Sequence, residues 1–207
     1  MIGSKIGHSL DPLLLRAYRF LFGKAAISPN ILTSCGLFFS LLASFVIALT
    51  GRLFYAGILL VVSGFFDLLD GAIARNTNTE TPFGGFFDSL LDRYSDLMVM
   101  FGISVYFLRE SAPYWSMASF FAAIGIAIIP YARARAEAAA IPCRNGLLER
   151  PERVILLSIG LLVPYVCKPV VLILAVLSHV TVLQRVLLVR DATRAAGSPH
   201  SRTHGSQ

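Results

Sequence analysis

Charged residues are scarce in this chain. Asp, Glu, Lys and Arg make up only 14% of its 207 residues, against 56% hydrophobic residues and a mean hydropathy of +0.70. That balance excludes an ordinary soluble domain and predicts an integral membrane protein. Cysteine is also sparse. Cys35, Cys143 and Cys167 lie far apart, with neither a pairing spacing nor a histidine cluster beside them, so they read as packing residues. Of the four histidines, His179 falls in an apolar stretch and reads as a helix-packing residue, while His8, His200 and His204 sit in polar termini. The first apolar run starts only at Ile31, and no small-residue cleavage site follows a short hydrophobic region, so no secretory leader is expected. Neither an internal repeat nor a second soluble domain is visible.

What is present is a series of apolar runs close to the roughly 20 residues needed to cross a hydrocarbon core. They predict an all-α, polytopic membrane protein with six transmembrane helices, at 31–50, 53–74, 83–107, 114–132, 154–166 and 170–189, the fifth clearly the shortest. Before them, Asp11-Pro12 reads as a helix start, leading into 13–22 with Arg16 and Arg19 on one face and leucines on the other. This is the pattern of an amphipathic helix lying in the membrane interface. Residues 1–30 are thus expected to form a cytoplasmic N-terminal segment, 31–190 the transmembrane domain, and 191–207 a disordered cytoplasmic tail. Gly36, Ser40 and Ser44, four apart, offer a small-residue seam to a neighbouring helix.

The net charge of +6 raises the question of nucleic acid, but the position of the cations answers it. With the N-terminus inside, Arg52, Arg109 and Lys168 are the only ones of 18 Lys and Arg residues left on the outer side. The positive charge therefore reads as membrane topology, with both termini cytoplasmic and no nucleic-acid partner.

Against this apolar background stand four aspartates. The residues run Asp67-Leu-Leu-Asp70-Gly71-Ala-Ile-Ala74-Arg75, then eight residues, then Gly84-Gly-Phe-Phe-Asp88-Ser-Leu-Leu-Asp92. Steps of three or four residues keep each pair on one helix face. The polar stretch 76–82, with its asparagines and proline, is suited to reversing the chain and pointing both pairs into one space. Carboxylates converging in low dielectric need cations, and an all-oxygen site suits Mg²⁺ or Mn²⁺ rather than zinc. Buried acids along the ion path of a transporter are the alternative; that reading leaves Gly71, Ala74, Arg75 and Gly84 unexplained.

The same spacing resembles the signature of the CDP-alcohol phosphatidyltransferases, in which Asp-x-x-Asp-Gly-x-x-Ala-Arg is followed after eight residues by Gly-x-x-x-Asp-x-x-x-Asp; every fixed position is matched here. The resemblance implies that an acceptor hydroxyl attacks the lipid-bearing phosphorus of a CDP-linked lipid such as CDP-diacylglycerol and expels CMP. It implies Asp67, Asp70 and Asp88 as ligands of two divalent cations, and Asp92 as general base sharing a metal. Gly71 and Ala74 would admit the cytidine, with tight helix packing as the alternative. Arg75 would pair with the diphosphate. Thr81 and the Asn30 and Thr33 positions of the first span also resemble nucleotide contacts, although Asn30 can equally serve a helix start. A homodimer in the inner (cytoplasmic) membrane is a further family expectation.

Tyr131-Ala-Arg133-Ala-Arg135-Ala-Glu137, Glu149-Arg150-Pro151-Glu152-Arg153 and Gln184-Arg185 resemble the bacterial phosphatidylinositol phosphate synthases and the archaeal inositol-phosphate lipid synthases of that family. The resemblance implies a pocket of Arg133, Arg153 and Arg185 for the phosphate of inositol 1-phosphate. Arg133 stands where lysine is common, a planar fork in place of a point charge. Ordinary positive-inside anchoring, with an Arg133–Glu137 surface pair, is the alternative for these arginines. Phosphatidylglycerophosphate synthesis from glycerol 3-phosphate is the alternative reaction.

Overall fold

The computed structural model describes residues 2–23, 27–77, 79–143 and 146–196, with side chains described from residue 11 to residue 194 of those ranges. Lys24 and Arg144, two of the cations expected on the cytoplasmic side, lie outside the described residues, as do His200, His204 and most of the tail.

Every described element is helical: α1 (Ile2–Phe22), α2 (Pro29–Thr50), α3 (Leu53–Thr77), α4 (Pro82–Arg109), α5 (Pro113–Ala138), α6 (Arg150–Leu162) and α7 (Cys167–Ala196), with a 3₁₀ turn at Pro164–Val166 before α7. Proline opens α2, α4, α5 and α6, where its missing N–H costs nothing and its fixed φ suits the first turn. Gly51 closes α2 in the left-handed region (φ 69°), its N–H bonding to the Ile47 carbonyl, and α3 starts two residues later. A β-carbon is disfavoured at that φ, which is why glycine makes the tight reversal.

Among the described residues, four stretches are long and apolar enough to cross a membrane: α2, α3, α5 and Pro164–Arg194, which contains most of α7. Together with the outward-facing Phe38, Phe45, Phe101, Phe120 and Leu172 they describe a multi-pass membrane protein. The other two expected spans differ in kind. α4 is 28 residues long but carries Asp88, Asp92 and Arg93 in its first half and Asp96 at its middle. α6 has 13 residues, roughly 20 Å at 1.5 Å per residue, and the chain leaves the helix before Pro164, which opens the 3₁₀ turn.

α2 packs against both α3 and α4, α5 against α4 and α7, and α6 against α3 and α7, while α1 lies on α3. The core between them is apolar, built around Ile47, Leu60, Met100, Ile103, Ile126, Leu161 and Leu174. The small-residue seam of α2 works inside this bundle. Ser63 of α3 donates to the Gly36 carbonyl at 2.7 Å, Ser44 donates to the Met98 carbonyl of α4, and a Cβ on Gly102 would sit 2.7 Å from the Ser44 carbonyl oxygen. Backbones approach this closely only where side chains are small.

Two local expectations change or find their detail. α1 starts at Ile2 and holds Pro12 in its interior, so Asp11 is not the cap of a helix start. Its carboxylate is drawn sideways into a two-point, charge-assisted pair with an arginine of α3. His179 packs: its Nδ1 lies 2.9 Å from the Ala175 carbonyl oxygen and its ring stacks on Phe121, centroids 3.9 Å apart.

Candidate active site

The C-terminal end of α3 and the N-terminal end of α4 meet at one end of the bundle because the link between them is short and internally bonded. The Thr79 N–H reaches back to the Ala74 carbonyl at 3.1 Å. Thr81 caps α4, its hydroxyl accepting from the Gly84 N–H at 2.9 Å. A Cβ on Gly84 would lie 3.0 Å from that hydroxyl and 3.4 Å from Asn30 Oδ1, so the glycine lets the start of α4 close onto the start of α2.

This closure brings the carboxylates together. One oxygen each from Asp67, Asp70 and Asp88 lies within 4.8 Å of the others. Asp70 Oδ2 and Asp88 Oδ1 are buried with no hydrogen-bond partner among the described residues. Buried carboxylate oxygens without donors are costly unless a cation meets them, so this donor set fits a hard divalent metal. Asp92, also buried, stands one turn further along α4 and is held by cations from two directions. Arg150 Nη2 lies 2.7 Å from Asp92 Oδ1, while Arg93 Nη2 is 3.8 Å from Asp92 Oδ2. The same Arg150 also forms an ion pair with Asp67 through its other terminal nitrogen.

Beside the carboxylates opens a cavity of about 1360 Å³, with Asp70 and Asp88 in its wall. Asn30, Thr33, Gly71, Ala74, Arg75 and Thr81 all line it. α1 supplies part of another wall through Leu15, Tyr18 and Arg19. Arg75 is clasped by Asp11 of α1, Nη2 to Oδ1 at 2.8 Å and Nε to Oδ2 at 3.3 Å. A Cβ on Gly71 would sit 3.0 Å from Arg75 Nη1, so one role of that glycine is to let the guanidinium lie across α3.

The three arginines expected to form a second pocket occupy different settings. Arg153 is 2% exposed and pairs with Asp96, itself 4% exposed, at 2.6 Å. Arg185 is buried and donates to the Ile129 carbonyl of α5, and Gly146 leaves it room, since a Cβ there would lie 3.2 Å from Arg185 Nη2. Arg133 is exposed and pairs with Glu137 at 2.9 Å in the i, i+4 manner. Arg133, Arg153 and the acidic Glu149 all lie near enough to act on Arg185 electrostatically, so its surroundings carry charges of both signs. The Nε atoms of Arg153 and Arg185 are buried without an acceptor among the described residues.

The chain matches the CDP-alcohol phosphatidyltransferase family over residues 26–192, which takes in the aspartates, the buried arginines and most of the cavity wall, though not the part from α1. It belongs to the CDP-alcohol phosphatidyltransferases. Among its relatives this phosphatidyltransferase is 42% identical to the archaetidylinositol phosphate synthase of Pyrococcus horikoshii over 161 residues, covering 77% of this chain and 82% of that one. It is 34% identical to the phosphatidylinositol phosphate synthase of Mycobacteroides abscessus over 203 residues, 93% of this chain and 87% of the relative. The crystal structure of the Mycobacterium tuberculosis phosphatidylinositol phosphate synthase with CDP-DAG bound superposes with a TM-score of 0.74 at 27% identity. It covers 98% of this chain and 100% of that one. The same enzyme in complex with manganese and citrate gives a TM-score of 0.73 at 27% identity, over 97% of this chain and 93% of that one.

Two residues at the site escape a reading of the sequence. Asp11 looks like a helix cap, and Arg150 looks like one more cytoplasmic anchor. A signal for Arg150 existed, because it lies three residues before Arg153 and so shares its helix face. Its reach to Asp67 and Asp92 depends on how α6 packs.

Proposed function

We propose that this phosphatidyltransferase moves the phosphatidyl group of CDP-diacylglycerol, or of a related CDP-lipid, to inositol 1-phosphate, forming phosphatidylinositol phosphate and CMP. The observation that carries the proposal is the convergence of Asp67, Asp70 and Asp88 within 4.8 Å, with Asp70 and Asp88 in the wall of the cavity that Gly71, Ala74 and Arg75 also line. The relatives named for inositol-phosphate lipid synthesis support the choice of acceptor.

On this reading Asp67, Asp70, Asp88 and, in part, Asp92 hold two Mg²⁺ or Mn²⁺ ions. When bound, the ions supply neutralisation of the diphosphate and of the charge that develops on departing CMP. The remaining work belongs to side chains. Asn30, Thr33, Gly71, Ala74 and Thr81 receive the cytidine and ribose, and Arg75 turns its fork of donors to the diphosphate. Arg153 and Arg185, with Arg133 at the rim, hold the phosphate of the acceptor. Asp92 takes the proton of the attacking inositol hydroxyl. Its Oδ1 is engaged by Arg150 at 2.7 Å, whereas its Oδ2 has the looser contact, 3.8 Å to Arg93, and is the oxygen that receives that proton. The new bond joins the hydroxyl oxygen to the lipid-bearing phosphorus as the bond from that phosphorus to the CMP oxygen breaks, so charge and atoms balance.

The setting is the inner (cytoplasmic) membrane, with α4 and α6 completing six crossings, α1 in the interface and the site open to the cytosol. Water-soluble acceptor and CMP can then exchange at the face where cations concentrate. A homodimer is included in the proposal. Its interface lies elsewhere than the Gly36–Ser40–Ser44 seam, which is already buried within the bundle.

The test is CMP release by purified protein in detergent with Mg²⁺, CDP-diacylglycerol and a panel of acceptors. Release is expected with inositol 1-phosphate and not with glycerol 3-phosphate or without acceptor. The reverse preference replaces this reading with phosphatidylglycerophosphate synthesis. No release with any acceptor, together with cation flux in vesicles, replaces it with transport.

A further inference from the structure

Arg150 stands in an unfavourable place for a cation. It is the first residue of α6, where the positive end of the helix dipole disfavours it. Its side chain is only 20% exposed, and its Nε is buried with no acceptor among the described residues. What compensates is the pair of carboxylates it joins: Asp67 in the C-terminal half of α3 through Nη1, and Asp92 of α4 at 2.7 Å through Nη2. A planar guanidinium spans two carboxylates in this way, whereas an ammonium offers a single point of charge. Asp67 is at the same time one of the three residues whose oxygens converge for a metal. A monovalent cation fixed on α6 and a divalent cation thus share one carboxylate.

We propose that Arg150 is a resident counter-cation and positioning residue: it holds Asp67 and Asp92 together before the metal arrives, lowers metal affinity by sharing Asp67, and keeps Asp92 aligned afterwards. This rests on the functional reading above and extends it. Without Arg150, the four carboxylates Asp67, Asp70, Asp88 and Asp92 face one another with Arg93, 3.8 Å from Asp92, as the nearest remaining ion-pair partner. Repulsion then loosens the junction of α3 and α4 in the metal-free protein. Once metal binds, one positive charge fewer repels it, so affinity rises. A residue with a merely architectural role gives the opposite sign: its removal disorders the site and weakens the metal.

The experiment compares wild-type protein with Arg150→Gln and Arg150→Lys, purified in detergent and stripped with chelator. Mn²⁺ affinity is read from the electron paramagnetic resonance signal of free Mn²⁺, thermal stability from circular dichroism, and turnover from CMP release. Arg150→Gln is expected to melt several degrees lower without metal and to bind Mn²⁺ about tenfold tighter or more. At saturating Mn²⁺ it is expected to turn over at least about tenfold more slowly, because Asp92 has lost its partner. Arg150→Lys keeps the charge but cannot span both carboxylates. It should bind Mn²⁺ within about threefold of wild type while turning over at least about tenfold more slowly. A folded Arg150→Gln protein that binds Mn²⁺ no tighter than wild type overturns the inference. If that variant does not fold, full turnover by Arg150→Lys overturns it. A wild-type protein that binds no Mn²⁺ removes the metal reading itself and this inference with it, whereas failure of the variants alone leaves the proposed function standing.

Discussion

Removing the Asp96 carboxylate isolates the least accessible charge among the described residues. Arg153 and Asp96 are 2% and 4% exposed and meet at 2.6 Å across α6 and α4. Besides Asp96, Arg153 has one longer bond, from Nη1 to the Leu148 carbonyl at 3.3 Å, and its Nε has no acceptor among the described residues. Asp96→Ala therefore leaves a buried guanidinium almost uncompensated, a loss of about 3–5 kcal/mol when one partner of such a pair is deleted. For a chain of this length, at ~2–4 °C per kcal/mol, the melting midpoint in detergent should fall by roughly 6–20 °C. The double variant Asp96→Leu, Arg153→Met should regain most of that stability, because an apolar pair of similar volume avoids both desolvation penalties. It should not regain use of the acceptor. Losing a charged hydrogen bond to phosphate costs about 1.5–3 kcal/mol, so the apparent KM for inositol 1-phosphate should stay raised by roughly 10- to 150-fold, with CDP-lipid affinity unchanged. Thermal melts read by circular dichroism and CMP release at varied acceptor concentration separate the two effects. If Asp96→Ala melts within a degree of wild type, the burial argument is wrong. If the stable double variant works at ordinary acceptor concentration, Arg153 has no part in phosphate binding.

Other consequences are checked in the same assays. Asp92→Asn should cut turnover by about 10²–10⁴-fold while CDP-diacylglycerol still binds, since only the proton acceptor is lost; near-normal turnover ends that assignment. Arg133→Ala should leave the melting midpoint almost unchanged, because an exposed i, i+4 pair contributes only about 0.3–0.5 kcal/mol, so any rise in acceptor KM reports direct contact with the acceptor. Thr81→Ala removes the hydroxyl that accepts from the Gly84 N–H and should cost about 0.5–2 kcal/mol. The variant should also show weaker CDP-lipid binding, measured by equilibrium dialysis of labelled lipid in micelles.

Much of this protein was readable from residue order alone. Membrane residence follows from summed hydropathy, a property of composition and run length that needs no tertiary information. The convergence of Asp67, Asp70 and Asp88 was implied by helical spacing and a polar reversal between two apolar runs, because contacts within and between adjacent helices are set by local geometry. Gly71, Ala74 and Arg75 lie within that motif, whereas Asn30, Thr33 and Thr81 were singled out only by their resemblance to family positions; all six line the cavity. Residue order was weaker where the outcome depends on distant packing. Asp11 reads as a cap in sequence, yet Arg75, 64 positions away, engages its carboxylate at both oxygens. Arg133, Arg153 and Arg185 look equivalent as cytoplasmic cations. Only the packing of α6 and α7 into the bundle leaves Arg133 exposed beside Glu137, buries Arg153 on Asp96 and sets Arg185 against the Ile129 carbonyl. Arg150 was invisible as a bridge for the same cause: the interaction of a charge depends on what stands within a few ångströms and on how much water has been removed, and neither is written in spacing along the chain. Sequence by itself thus determined the medium, the helices and the acidic centre, and tertiary packing decided which cations answer that centre.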